Sequence, residues 1–150
     1  MLARHEVEFI VVGGVCGALH GAPIATFDLD AVHSRRPENV DRLLAALEEL
    51  GACYRTHPGR RLRPTKTHLE SPGHQLLMTD AGPLDLPGSV GQGRSYDDLA
   101  EHATQMQVGP TPVRVLDLDT LIRLKEELGG EKDRAVLPIL RRTREEKRKQ

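Results

Sequence analysis

Aromatic residues are scarce in this chain, which has two Phe, two Tyr and no Trp among its 150 residues. Domains that recognise single-stranded RNA stack the bases on exposed aromatic rings. The composition therefore argues against a dedicated RNA-recognition domain. The formal net charge of −1 gives no general attraction for nucleic acid either, so any affinity of that kind depends on local basic patches.

Cysteines and long apolar runs are also few. Cys16 and Cys53 are the only cysteines, and both stand in segments predicted to lie in or near the interior. This usage is typical of a reduced cytoplasmic protein. No basic segment followed by an apolar stretch opens the chain, and no apolar run approaches the length of a membrane span, so we expect a cytoplasmic protein without membrane contact. The seven histidines lack zinc-ligand spacing.

What is present is the composition of a globular protein, with 38% hydrophobic and 29% charged residues. A chain of 150 residues is long enough for one substantial core, so we expect a single domain over residues 1–150. Apolar patterns of strand spacing and of helix spacing both occur along it.

The segment from Phe9 to Asp30 reads F-I-V-V-G-G-V-C-G-A-L-H-G-A-P-I-A-T-F-D-L-D. Residues 8–12 predict a buried strand, and Gly13-Gly14 predict a turn into a short helix over 15–20. Free N–H groups at such a turn bind phosphate, although a tight strand-to-helix connection explains a bare Gly-Gly at least as well. The G-x-G-x-x-G spacing of dinucleotide-binding proteins is not present.

Asp28 and Asp30 lie in an apolar run that predicts a strand over 26–32. Side chains two apart in a strand share a face, so the two carboxylates are expected to lie side by side. Their mutual repulsion favours a bound cation, whereas an exposed edge strand with two solvated acids is the alternative. Asp85 stands in the similar run G-P-L-D-L-P. If these two strands are neighbours, three carboxylates converge, and such a cluster holds Mg²⁺ in phosphoryl-transfer sites.

The remaining pattern is mostly structural. Helices are predicted over 38–50 and 96–103, two more before and after Gly129-Gly130, and strands over 67–70, 75–79, 83–86, 106–108 and 113–116. The loop over 54–66 is rich in arginine and either binds phosphate or is simply solvated. The glycine-rich loop over 88–94 is a connection or part of a substrate mouth. A second D-x-D, Asp117-Leu118-Asp119, precedes a helix, so its acids are interpreted as an N-cap and a first-turn acid.

With these motifs the chain resembles the minimal nucleotidyltransferases of the polymerase-β superfamily, in particular the small bacterial AbiEii-type toxin nucleotidyltransferases. The matching segments are V-V-G-G-V-C-G-A-L-H-G, T-F-D-L-D, R-P-E-N-V-D-R-L-L-A-A-L, G-P-L-D-L-P and L-I-R-L-K with E-K-D. The resemblance covers nearly the whole chain. It implies an α/β (α+β) fold of the polymerase-β nucleotidyltransferase type, in which a mixed β-sheet is flanked by helices and followed by C-terminal helices.

For the site, the resemblance implies a Mg²⁺ ion held by three catalytic acids and a nucleotide held by glycines and C-terminal residues. The acids are Asp28, Asp30 and Asp85. The nucleotide contacts are Gly13, Gly14, Lys125, Lys132 and Asp133. Gly14 stands where relatives often have Ser, and Ile24 and Ala25 stand where relatives commonly have an arginine.

The function expected from the resemblance is Mg²⁺-dependent transfer of a nucleotide from an NTP to a hydroxyl. The acceptor is an RNA end such as that of tRNA, or a protein side chain, and the protein is expected to be the toxin of a toxin–antitoxin pair with an antitoxin partner. A competing hypothesis is a catalytically inactive nucleotidyltransferase-fold module that binds nucleotide or protein. Phosphoester hydrolysis at the same metal site is a third.

Overall fold

Strands and helices alternate along much of the chain in the computed structural model, which describes residues 1–26, 28–57 and 59–150. The strands are β1 (Phe9–Val12), β2 (Leu29–His33), β3 (Cys53–Tyr54), β4 (Gln75–Thr79), β5 (Gly82–Leu86), β6 (Ala103–Val108) and β7 (Thr111–Leu116). The helices are α1 (Gly13–Leu19), α2 (Pro37–Glu49), α3 (Lys66–Glu70), α4 (Tyr96–Ala100), α5 (Leu118–Leu128) and α6 (Glu131–Arg148).

The described strands form one mixed sheet of seven, in the order β3-β4-β5-β2-β1-β7-β6. β2 runs parallel to β5, and β1 runs parallel to β7, while the other neighbours are antiparallel. β2 is the central strand of the sheet, with β5 and β1 on its two sides. This is the mixed sheet with flanking and C-terminal helices that the family resemblance implies.

Helices cover both faces of the sheet. Ala31 and Val32 are neighbours in β2, so their side chains point to opposite faces, and each is fully buried in a different apolar cluster. The cluster around Val32 includes buried residues of α1, α5 and α6, and the cluster around Ala31 includes the apolar stripe of α2 and Leu69 of α3. Asp30 lies one residue before Ala31 and therefore faces the α1 and α5 side.

The strand predicted over 67–70 is wrong, because this segment is helix α3. Thr65 caps the helix: its side chain accepts a hydrogen bond from the backbone N–H of His68, and the His68 ring accepts one from the backbone N–H of Thr65. A histidine occupies the position where a capping box usually has Glu or Gln, so the usual helix-start signal is missing from the sequence.

Several predicted boundaries also differ from those of the structure, β2 and α4 among them. β2 begins at Leu29 rather than at residue 26. Its partner β1 ends at Val12, which pairs with Asp30, and beyond Val12 the first strand gives way to α1, so residues before Leu29 have no strand to pair with on that side. Asp28 therefore precedes the strand, and Phe27 lies outside the described residues. The helix predicted over 96–103 ends at Ala100, because β6 extends back to Ala103 in its antiparallel pairing with β7.

The expectation of two reduced cysteines agrees with the structure, in which both thiols are free. None of the helices in the described part of the chain is long and apolar enough to cross a membrane.

Candidate active site

Four adjacent strands each contribute one residue to a row across the middle of the sheet. Val12 on β1 lies opposite Asp30 on β2, Asp30 lies opposite Asp85 on β5, and Asp85 lies opposite Leu76 on β4. Strands in a sheet are about 4.8 Å apart, and residues in register point to the same face. The register therefore places the carboxyl groups of Asp30 and Asp85 next to each other, which is the arrangement of these two acids that the family resemblance implies.

The proximity of the two carboxyl groups changes the acidity of Asp30. Its pKa is raised to about 6, first because the group is partly buried, then because of the negative charge and the contact of Asp85, and then because of the charge of Asp28. The charge of Lys125 acts in the opposite direction. The pair thus carries an excess of negative charge that Lys125 compensates only in part.

Asp28 acts on the Asp30–Asp85 pair through its charge and has no place in the strand register that brings those two acids together. Within residues 1–26, 28–57 and 59–150, no group of three or more His, Cys, Asp or Glu side chains is arranged to hold a metal ion. Asp30 and Asp85 adjoin each other, and Asp28, on the segment before β2, does not complete a three-ligand group with them. Metal binding by the three acids stays a prediction.

Gly13 is required where the chain passes Asp30. Its φ is +69°, in the left-handed region, and a Cβ added there would lie 2.2 Å from Asp30 Oδ2. Any other residue would therefore meet both backbone strain and a direct clash with the carboxylate. At Gly14 an added Cβ would lie 3.1 Å from Thr26 Cβ, which is a tight contact but does not involve the acidic pair.

Lys125 supplies a positive charge from the helical layer. It projects from α5, its charge lowers the pKa of Asp30, and its Nζ lies 3.1 Å from Asp133 Oδ1 at the start of α6. The other oxygen of Asp133 accepts a hydrogen bond from the backbone N–H of Gly130. Asp133 is therefore fixed at the helix start and positions Lys125.

A cavity of about 200 Å³ lies over the row. Its walls combine the two acids and Lys125 with apolar side chains of α5, and the loop over 88–94 forms part of the rim. The lining residues are Val12, Gly13, Asp30, His74, Leu76, Asp85, Pro87, Val90, Gly91, Leu121, Leu124, Lys125 and Leu128. The position of the loop over 88–94 at the cavity rim favours its interpretation as part of a substrate mouth over that of a plain connection.

The predicted site residues thus divide into two groups. Gly13, Asp30, Asp85 and Lys125 line the cavity. The lining that the structure describes does not include Asp28, Gly14, Lys132 or Asp133. Lys132 is exposed on the first turn of α6, and Asp133 acts through Lys125.

Two polar residues at the site are absent from the sequence-based set. Arg55 contacts Asp85, with Nη1 2.5 Å from Oδ1. The arginine-rich composition of residues 54–66 indicated a candidate phosphate-binding loop, but the sequence does not distinguish Arg55 from the other arginines there. His74 lines the cavity from the turn before β4, and no sequence pattern marks it.

The second D-x-D does not belong to the site. Asp117 occupies the N-cap position of α5, although its side chain makes no capping hydrogen bond. Asp119, in the first turn, lies 3.4 Å from an Nη atom of each of Arg144 and Arg148 on α6. These acids help to pair two helices, as the sequence interpretation of them as helix-start residues expects.

Comparison with known proteins finds likeness among solved structures. No protein-family model matches the chain, and no curated protein matches its sequence. Among solved structures, it is similar to a Thermotoga maritima protein described as a "putative nucleotidyltransferase", with a TM-score of 0.59 at 16% identity over 91% of this chain and 86% of that one. The likeness shows that this chain has a nucleotidyltransferase-like fold.

Asp30→Asn should stabilise the metal-free protein at pH 7. The folded-state pKa of Asp30 is raised above its ordinary value of 3.8, so the ionised carboxylate is less stable in the folded chain than in the unfolded chain. The free energy of unfolding therefore falls as the pH rises from about 4 to about 6. After discounting for solvent screening of a partly exposed group, we expect a gain of about 1 kcal/mol at pH 7 that vanishes near pH 4. Denaturant unfolding at both pH values, with Asp119→Asn as control, measures it. An equal or smaller stability of Asp30→Asn at pH 7 would contradict it.

Gly13→Ala should destabilise the protein more than Gly109→Ala. The two glycines have similar positive φ values, +69° and +62°, but a Cβ at Gly109 would meet nothing within 4 Å, whereas one at Gly13 would meet Asp30 Oδ2. The control therefore incurs backbone strain alone, at about 1 kcal/mol, and Gly13→Ala should lose at least about 1 kcal/mol more. Thermal unfolding of the two variants compares these costs, and equal losses would show that Gly13 is not pressed against Asp30.

Proposed function

We propose that this chain is a Mg²⁺-dependent nucleotidyltransferase that transfers a nucleoside monophosphate from an NTP to a hydroxyl. The observation that supports this most is the in-register pair of Asp30 and Asp85, beside Gly13 and Lys125, on the wall of a cavity in a nucleotidyltransferase-like fold. In this reaction the acceptor oxygen bonds to the α-phosphorus, the bond to pyrophosphate breaks, and the acceptor proton is released.

The residues present fit a divalent cation. Oδ1 of Asp85 is buried and has no aligned hydrogen-bond donor, and the adjoining carboxyl of Asp30 raises the local negative charge. Carboxylate oxygens are the ligands that Mg²⁺ prefers. Asp30 and Asp85 would hold the ion, with Asp28 as the third acid of the proposal. When bound, the cation would activate the acceptor hydroxyl and neutralise charge on the departing pyrophosphate.

The other residues of the site have roles suited to a triphosphate. Lys125 lines the cavity, and its ammonium group, which Asp133 holds at 3.1 Å, would attract phosphate oxygens there. Gly13 lets the backbone pass close to the acids. Contacts of Gly14 and Lys132 with the nucleotide stay predictions from the family resemblance, as do the AbiEii-type subfamily, an RNA or protein acceptor, the toxin role and an antitoxin partner.

A catalytically inactive module with the same fold is the alternative function. Such a module would bind nucleotide or protein without turnover and would gain nothing from two mutually repelling acids in the centre of its sheet. A negative charge that the fold holds at a cost in stability is characteristic of active sites rather than of interaction surfaces. The paired acids therefore favour the enzyme.

Asp85→Asn should reduce nucleotidyl transfer at least about 100-fold, since it removes a charged ligand from the cation. Lys125→Gln should reduce it about tenfold, mainly through a higher KM for the NTP, because the lysine binds phosphate without touching the cation. The measurement is incorporation of label from each α-labelled NTP into bacterial RNA or protein in the presence of Mg²⁺.

Asp119→Asn is the matched control, because it changes an acid of the other D-x-D and should leave transfer unchanged. Full activity of Asp85→Asn would contradict the assignment of the site. If the unmodified chain binds NTP without transferring label to any acceptor fraction, the inactive-module alternative is favoured instead.

A further inference from the structure

A guanidinium group already occupies the place beside the acidic pair that a cation would take. Arg55 Nη1 lies 2.5 Å from Asp85 Oδ1, the same buried oxygen that lacks an aligned hydrogen-bond donor. The contact is therefore an ion pair rather than a hydrogen bond in its geometry. It uses the oxygen that is otherwise best suited to a metal ion.

The contact is built into the sheet and is not a chance meeting of surface side chains. The backbone N–H of Arg55 donates to the carbonyl of Leu76, at 3.2 Å, which extends the pairing of β3 with β4 by one residue. Leu76 is in turn the partner of Asp85. Arg55 Nη1 also donates to the carbonyl of Leu77, at 2.9 Å. The Arg55 side chain thus crosses β4 to reach Asp85. Its backbone is fixed by Leu76 and its guanidinium by Leu77.

The pair is also shielded from solvent. The side chains are 27% exposed for Arg55 and 18% exposed for Asp85, so water screens their attraction less than it would at an open surface. The contact with Asp85 raises the pKa of the Arg55 guanidinium most, and the charges of Asp85, Asp28 and Asp30 add to that effect. Arg55 is therefore a counter-ion for the whole acidic group.

We propose that Arg55 is the resident counter-ion of the Asp30–Asp85 pair and that a divalent cation must displace it from Asp85 in order to bind. This inference rests on the proposed function, since it concerns the metal of that reaction. An ion in direct contact with Asp85 Oδ1, at about 2.1 Å, would face a guanidinium at the same oxygen, and the two positive charges repel each other.

The proposed competition has a functional consequence. In the free protein the cation must overcome Arg55, so it binds weakly by itself. An NTP adds phosphate ligands for the cation and also offers the displaced guanidinium an anionic partner. The cation and the NTP are therefore expected to bind cooperatively, because Arg55 stays paired with Asp85 until both are present.

The test is Mn²⁺ binding without nucleotide, measured by electron paramagnetic resonance, in the intact chain and in Arg55 variants. Arg55→Gln and Arg55→Met both remove the charge and should bind Mn²⁺ about tenfold more tightly or better, because a neighbouring charge at this range changes the cation affinity of a carboxylate by that factor. Arg55→Lys keeps the charge and should stay within about threefold of the unmodified chain. Arg60→Gln, an exposed arginine of the same loop, should change nothing.

Three outcomes separate this inference from the proposed function. Tighter Mn²⁺ binding by both neutral variants, with cooperative binding of Mn²⁺ and NTP in the unmodified chain, supports it. Equal or weaker binding by the neutral variants overturns the competition and leaves the metal site standing. Absence of Mn²⁺ binding in every variant, with or without NTP, removes the metal site and therefore both proposals. Thermal unfolding of each variant confirms that it is folded.

Discussion

Repulsion between Asp30 and Asp85 is the constraint on which the rest of the site depends. The two acids lie in register on adjacent parallel strands, near the middle of a sheet that is covered on both faces. Burial and the neighbouring carboxylate raise the pKa of Asp30 to about 6, so at neutral pH the fold holds a charge that it would be more stable without. A structure keeps such a cost where function requires it.

The surrounding elements are arranged to accommodate that charge. The turn from β1 into α1 passes Asp30 so closely that only a glycine fits at Gly13. Cations then approach from two sides: Lys125 from the helical layer, held by Asp133, and Arg55 from across β4. Neither charge comes from the strands that carry the acids. The sheet thus sets the positions of the acids, and the elements packed around it determine how far the charge is neutralised.

Much of this could be predicted from the sequence, and the failures have identifiable physical causes. Local periodicity predicted α2 and the hairpin strands because their apolar spacing is set by burial of a single face. It failed for α3, where His68 replaces the usual capping acid. The pairing of Asp30 with Asp85 depends on register between distant segments, so only the family resemblance supported it. Arg55 was missed because its role arises from a contact across β4, which has no counterpart in the spacing of the loop's arginines.

We propose that the Asp30–Asp85 pair is a cation site that receives the triphosphate of an NTP. A crystal of the protein grown with Mn²⁺ and a non-hydrolysable NTP would locate the ion, because Mn²⁺ scatters anomalously and marks its own position. We expect an anomalous peak in contact with both carboxylates, phosphate oxygens on the same ion, and Arg55 moved away from Asp85. A nucleotide bound elsewhere, or an unoccupied pair with Arg55 still on Asp85, would show that the pair is not this site.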